Sequence, residues 1–152
     1  MASLADLHRA VQATLATKRV GTPVFARLLI QGQEKAEAIP AQLARAAGMV
    51  KEWMGQPLNR VLATGSAADG QVSLTLQFRD GAAALIGCAR TPPRGDGFDL
   101  LLLGNHGAVY HDAGSASLWD ETAALPAGAP DAELLAAVEE ALRSGKPVEV
   151  KP

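Results

Sequence analysis

Between Val72 and Arg79 apolar and polar residues alternate without a break: Val72, Leu74, Leu76 and Phe78 against Ser73, Thr75, Gln77 and Arg79. A period of two is that of a strand with unlike faces. Asp80-Gly81 follows, a pair suited to a two-residue hairpin turn, and the apolar stretch Ala82 to Ala89 runs back. A two-residue turn predicts Phe78 opposite Ala83, Leu76 opposite Leu85 and Leu74 opposite Gly87 on a covered face. On the other face it pairs Thr75 with Ile86, Gln77 with Ala84 and Ser73 with Cys88. After the breaker-rich Thr91 to Gly97, Leu100 to Leu103 is too short for a helix and reads as a covered strand, which Gly104-Asn105-His106-Gly107 turns into a strand over Ala108 to His111.

Upstream, Ser3 is placed to cap a helix with Leu4, Leu7, Val11 and Leu15 on one stripe and His8 beside it. Gly21 ends that region, and Thr22 to Gln31 alternates as a strand covered in part on both faces. Gln33 to Ala38 reads as a loop. Pro40 opens a helix that carries Leu43, Ala47, Val50 and Met54 and stops at Gly55. Leu58 to Thr64 is a further strand, Ser117 to Trp119 a short edge piece, and Ala123 to Pro130 an Ala/Pro/Gly excursion. Asp131 caps a helix to Ser144 with Gly145 and Pro147 behind it, and Val148 to Val150 forms a last short strand. The order predicts one α+β domain over residues 1–152: a mostly antiparallel sheet, helices packed on one face, the other face open.

Composition narrows the function classes. In 152 residues, 48% are hydrophobic and 20% charged, enough for one real core. A formal charge of −2 with no basic run points away from nucleic acid and anionic membranes. No apolar run approaches membrane-spanning length and the N-terminus has no leader pattern, so a cytoplasmic protein is expected. A single cysteine, Cys88, excludes an intramolecular disulfide and reads as a small core residue.

Five fragments carry a family resemblance: Ala16 to Val24 (ATKRVGTPV), Trp53-Met54-Gly55, Leu76 to Gly81 (LQFRDG), Leu103 to Ala108 (LGNHGA) and Ala141 to Val148 (ALRSGKPV). In this order and spacing they resemble the C-terminal domain of the glucose-fructose oxidoreductase and inositol dehydrogenase family, here without its Rossmann domain. The resemblance implies a sheet whose helical side packs toward a cofactor domain and whose open side makes a subunit interface. It also implies a nicotinamide cofactor and a sugar, polyol or related substrate.

Two departures limit what carries over. No G-x-G-x-x-G is present and too few residues remain to hold a dinucleotide domain, so no cofactor is expected for the chain itself. The family's first sheet-domain helix bears an aspartate and, four residues on, a histidine for proton transfer. Counting back from Trp53, those positions read Gln42 and Ala46, and Gly32 to Trp53 contains no Asp or His. The acid and base half of a catalytic site is therefore missing. His106, His111 and Asp112 make a poor metal set, because residues five apart on a strand point to opposite faces. Ser115, Ser117 and Asp120 form no nucleophile motif. His8 reads as a boundary residue, and Trp53 and Trp119 as core or interface anchors.

Two readings remain. The first is a non-catalytic sheet domain that associates with itself as a homodimer, or with an oxidoreductase or other enzyme partner, through Ser73, Thr75, Gln77, Ala84, Ile86 and Cys88. That neutral face would bury on the order of 1,600 Å² under a second copy. The second is a ligand-binding subunit for a sugar-like or polyol-like molecule, completed by another chain and using Gln42, Arg45, Asn105 and His106. The first is favoured because the chain lacks a convergent set of acid and base groups.

Overall fold

A computed structural model describes residues 4–32, 38–90, 97–111 and 129–151. The expected Ser3 cap, the loops at 33–37 and 91–96, and the Ser117 to Trp119 piece lie outside these residues, as do Asp112, Ser115, Asp120 and most of the Ala123 to Pro130 stretch.

The elements run α1 (Leu4–Ala16), β1 (Pro23–Gly32), α2 (Ile39–Met54), β2 (Leu58–Ser66), β3 (Gln71–Phe78), β4 (Ala83–Arg90), β5 (Gly97–Gly104), β6 (Ala108–His111), α3 (Ala132–Ser144) and β7 (Val148–Glu149). The ends of α2 and α3 have chemical reasons. Pro40 sits in the first turn of α2, where its missing N–H costs nothing, and Gly55 closes the helix at φ 63° with its N–H on Lys51 O. Asp131 caps α3 by accepting from the N–H groups of Glu133 and Leu134, at 2.9 and 3.2 Å. Gly145 ends it, again at φ 63°.

The described strands form one seven-stranded sheet in the order β6-β5-β1-β4-β3-β2-β7. Every pairing is antiparallel except β1 with β4, which run parallel with Phe25 opposite Ala83 and Ile30 opposite Cys88. This is the α+β architecture expected, with a parallel seam in its middle. All three helices lie on one face. There Leu4, Leu7 and Val11 of α1, Leu43, Val50 and Trp53 of α2 and Leu134 and Val138 of α3 join alternate residues of the strands in one core: Ala26, Leu28, Ile30; Val72, Leu74, Leu76, Phe78; Phe98, Leu100, Leu102.

The β3–β4 hairpin departs from the expected register. Its loop has three residues, Arg79, Asp80 and Gly81: the Phe78 N–H donates to Ala82 O at 2.9 Å, and the Gly81 N–H donates to Phe78 O at 3.2 Å. Asp80 Oδ1 accepts the Ala82 N–H at 2.9 Å, and Gly81 takes φ 90°, the left-handed residue that closes a three-residue turn. Asp-Gly serves this turn as well as the shorter one, and one added loop residue inverts the returning strand. Leu74 therefore stands opposite Ile86, Leu76 opposite Ala84, Val72 opposite Cys88 and Thr75 opposite Leu85. Ala84, Ile86 and Cys88, expected on the open face, are buried beneath the helices at 1%, 0% and 5% exposure. Leu85 and Gly87, expected in the core, lie on the open face.

Candidate functional site

The open face is built by the remaining alternate residues of six strands. One row across it reads Tyr110, Leu101, Arg27, Leu85, Thr75, Leu62, and the next reads Ala108, Leu103, Phe25, Ala83, Gln77, Arg60. A third brings Asp99, Leu29, Gly87, Ser73 and Thr64 into line. Ser73, Thr75 and Gln77 stand on this face as expected, but their neighbours are larger and more apolar than the expected Ala84, Ile86 and Cys88. The inverted β4 contributes Leu85, and β1 and β5 contribute Phe25, Leu29, Leu101 and Leu103. Tyr110 is 68% exposed and Leu103 36%, both large hydrophobic side chains. Leu29 lies over the bare backbone of Gly87, where an added Cβ would come within 2.8 Å of its Cδ2. A shallow depression of about 150 Å³ lies around that glycine, bordered by Leu29, Ser73 and Ala89.

The residues expected to bind a ligand are not brought together. Gln42 is 4% exposed, and its Oε1 accepts from Cys88 Sγ at 3.1 Å. Ala46, at the position where the resemblance places a histidine, is fully buried. Asn105 and His106 serve as a clasp at the other end of the sheet. Asn105 Oδ1 accepts the Thr22 N–H at 2.8 Å, and its own N–H donates to Thr22 O at 3.0 Å. The His106 N–H donates to Val20 O, also at 3.0 Å. Gly21 allows this fit, since a Cβ there would lie 2.0 Å from Asn105 Oδ1. Cys88, which holds Gln42, pairs with Ile30, whereas Asn105 holds Thr22. Eight residues along an extended strand separate the two groups by roughly 26 Å. His111 lies on the covered face with its ring 5.0 Å from that of Phe98, so it and His106 do not share a site.

Arg45 lines a cleft of about 670 Å³ on the helical side, together with His8, Gly48, Lys51, Glu52, Pro57 and Asp131. Its polar groups are largely committed. His8 Nδ1 accepts the Trp53 indole N–H at 2.8 Å, and its Nε2 lies 3.1 Å from Glu52 Oε2, so both ring nitrogens are engaged. Glu52 Oε2 also accepts from Gln12 at 3.1 Å, and the Asp131 carboxylate caps α3. No local pattern announces the His8–Trp53 contact, which joins residues 45 positions apart. Among the described residues no group of three or more His, Cys, Asp or Glu side chains is placed to hold a metal. No described helix is long and apolar enough to cross a membrane.

No protein-family model matches the sequence, and no curated protein matches it. Solved structures match it by fold. Myo-inositol dehydrogenase from Corynebacterium glutamicum superposes with a TM-score of 0.70 at 16% identity, over 95% of this chain and 61% of that one. Myo-inositol dehydrogenase from Lactobacillus casei, in complex with NAD(H) and myo-inositol, gives 0.70 at 13% identity over 95% and 59%. Myo-inositol 2-dehydrogenase from Lactobacillus plantarum gives 0.64 at 11% identity over 96% and 62%. In fold, the chain is similar over nearly its whole length to inositol dehydrogenases, and it spans about three fifths of theirs.

Proposed function

We propose that the chain is a non-catalytic, oxidoreductase-like sheet domain that binds a second copy of itself through the open face of its sheet. The observation that carries this is the face itself, where Phe25, Leu29, Leu62, Leu85, Leu101, Leu103 and Tyr110 stand with few charges between them. Five strands of about eight residues and the four-residue β6, at about 4.8 Å spacing, offer roughly 700 Å² on each copy, about 1,400 Å² in all, within the range of stable interfaces. An apolar surface of that size is normally covered. The positions of the family's acid and base support the non-catalytic part, since Gln42 and Ala46 are buried and neither exchanges a proton. A single thiol enclosed in the core suits a reducing cytoplasm.

Light scattering after size exclusion tests the proposal on the native chain and on a Thr75→Arg, Leu85→Glu double variant. A native dimer that the double change splits into folded monomers is expected. A native monomer sinks the proposal.

The helical cleft favours a second reading, a binding subunit for a polyol-like molecule completed by another chain, because about 670 Å³ is the size of a small-molecule site. Calorimetric titration with myo-inositol discriminates. Saturable heat that Arg45→Ala abolishes would move the assignment to this reading, and its absence up to millimolar concentration is expected.

A further inference from the structure

We propose that Arg27 and Asp99 form two reciprocal ion pairs across the two-fold axis of the dimer, so that the open face selects a second copy of this chain in one register. The inference rests on the self-association proposed above and adds to it the charges that orient the two copies.

Arg27 stands in the middle of the open face, opposite Leu101 on β5 and Leu85 on β4. Its Nε is buried and has no hydrogen-bond partner among the described residues. Water reaches the rest of the side chain, which is only half-buried. A second sheet laid over this face removes that water, and a guanidinium enclosed among leucines is strongly unfavourable unless a carboxylate meets it. Arginine is also the residue best suited to an enclosed, forked contact with a carboxylate.

Among the described residues of the six-stranded face, the central charges are Arg27 and Asp99, while Arg60 sits toward the β2 edge, 3.7 Å from Glu149 of β7. Asp99 pairs with Leu29, and Leu29 is two residues from Arg27 on the same strand. The four residues Arg27, Leu101, Asp99 and Leu29 thus form a quadrilateral with the two charges on one diagonal and the two leucines on the other. A two-fold axis along the leucine diagonal carries Arg27 of one copy over Asp99 of the other, and the reverse, while the leucines meet at the axis. An isologous interface requires such reciprocity, and a face with one cation and one anion so placed is complementary to itself. Packed sheets lie about 10 Å apart, a gap that a long arginine and a short aspartate bridge together. Asp99 has an interaction within its own chain, but a carboxylate has about four acceptor sites and keeps room for a second donor.

The test is a dilution series followed by light scattering on the native chain, Arg27→Asp, Asp99→Arg and the double reversal. Each single reversal is expected to weaken the dimer at least about thirtyfold, and the double reversal to return it to within about tenfold of native. Single variants that associate as the native chain does, or a double variant no tighter than the singles, overturn the pairing. A native monomer at every concentration removes the underlying dimer. A dimer split by Leu85→Glu but indifferent to the reversals removes only the ion pairs. Circular dichroism reports folding. If a reversal fails to fold, Arg27→Gln and Asp99→Asn replace it, each expected to weaken the dimer about tenfold, and an unchanged dimer in both overturns the pairing.

Discussion

Leu85 and Ile86 are neighbours on one strand, yet Ile86 is fully buried beneath the helices and Leu85 stands on the open face. The period of two makes any assignment of one an assignment of both. Ile86→Glu encloses a carboxylate in the core and is expected to destabilise the fold by about 3 kcal/mol or more. Leu85→Glu places its charge in water and should stay within about 1 kcal/mol of the native monomer. Urea unfolding at a concentration too low for association measures both, and the opposite ranking would restore the two-residue turn. At single positions the sequence was legible where chemistry is local: the cap at Asp131, the stop at Gly55, the left-handed Gly81. It was silent on Gln42 with Cys88 and on His8 with Trp53, because those contacts join residues 46 and 45 positions apart.

At the level of elements the hairpin turn decides the most. Gly81 has φ 90°, and a Cβ there would meet nothing within 4 Å, so a side chain at this point is opposed by the backbone alone. Gly81→Val is expected to cost about 1–2 kcal/mol, and Gly81→Asn, which tolerates the left-handed region, distinctly less. Thermal melting of the two variants checks the order, and a valine that melts with the native chain would sink the three-residue loop. The strands and helices themselves were readable from hydrophobic period and punctuation. β5 proved longer than its leucine run, reaching from Gly97 to Gly104, because pairing along β1 extends it beyond the residues that show a pattern.

For the whole molecule, solved inositol dehydrogenases share this fold over nearly the whole chain at 11–16% identity, and the sequence carries no glycine-rich turn of the kind that holds a dinucleotide. The chain by itself is therefore expected to leave the fluorescence of reduced nicotinamide dinucleotide unchanged on titration. Saturable micromolar binding would overturn that expectation and with it the non-catalytic reading. The Asn105–His106 turn, expected at a ligand, fastens β5 to the start of β1.

By itself the sequence determined the class of the fold, the order and nature of nearly every element, the covered face of β3 and the absence of Asp and His from α2. Each of these follows from local period, turn chemistry or residue identity. Tertiary structure alone decided the strand order, the parallel seam between β1 and β4, and which face β4 turns to the helices. It thereby decided that Leu85, Arg27 and Asp99, rather than Ile86 and Cys88, stand on the open face of the sheet. Strand order depends on contacts between distant residues, and the facing of β4 on a single residue of loop length that Asp80-Gly81 permits in either form.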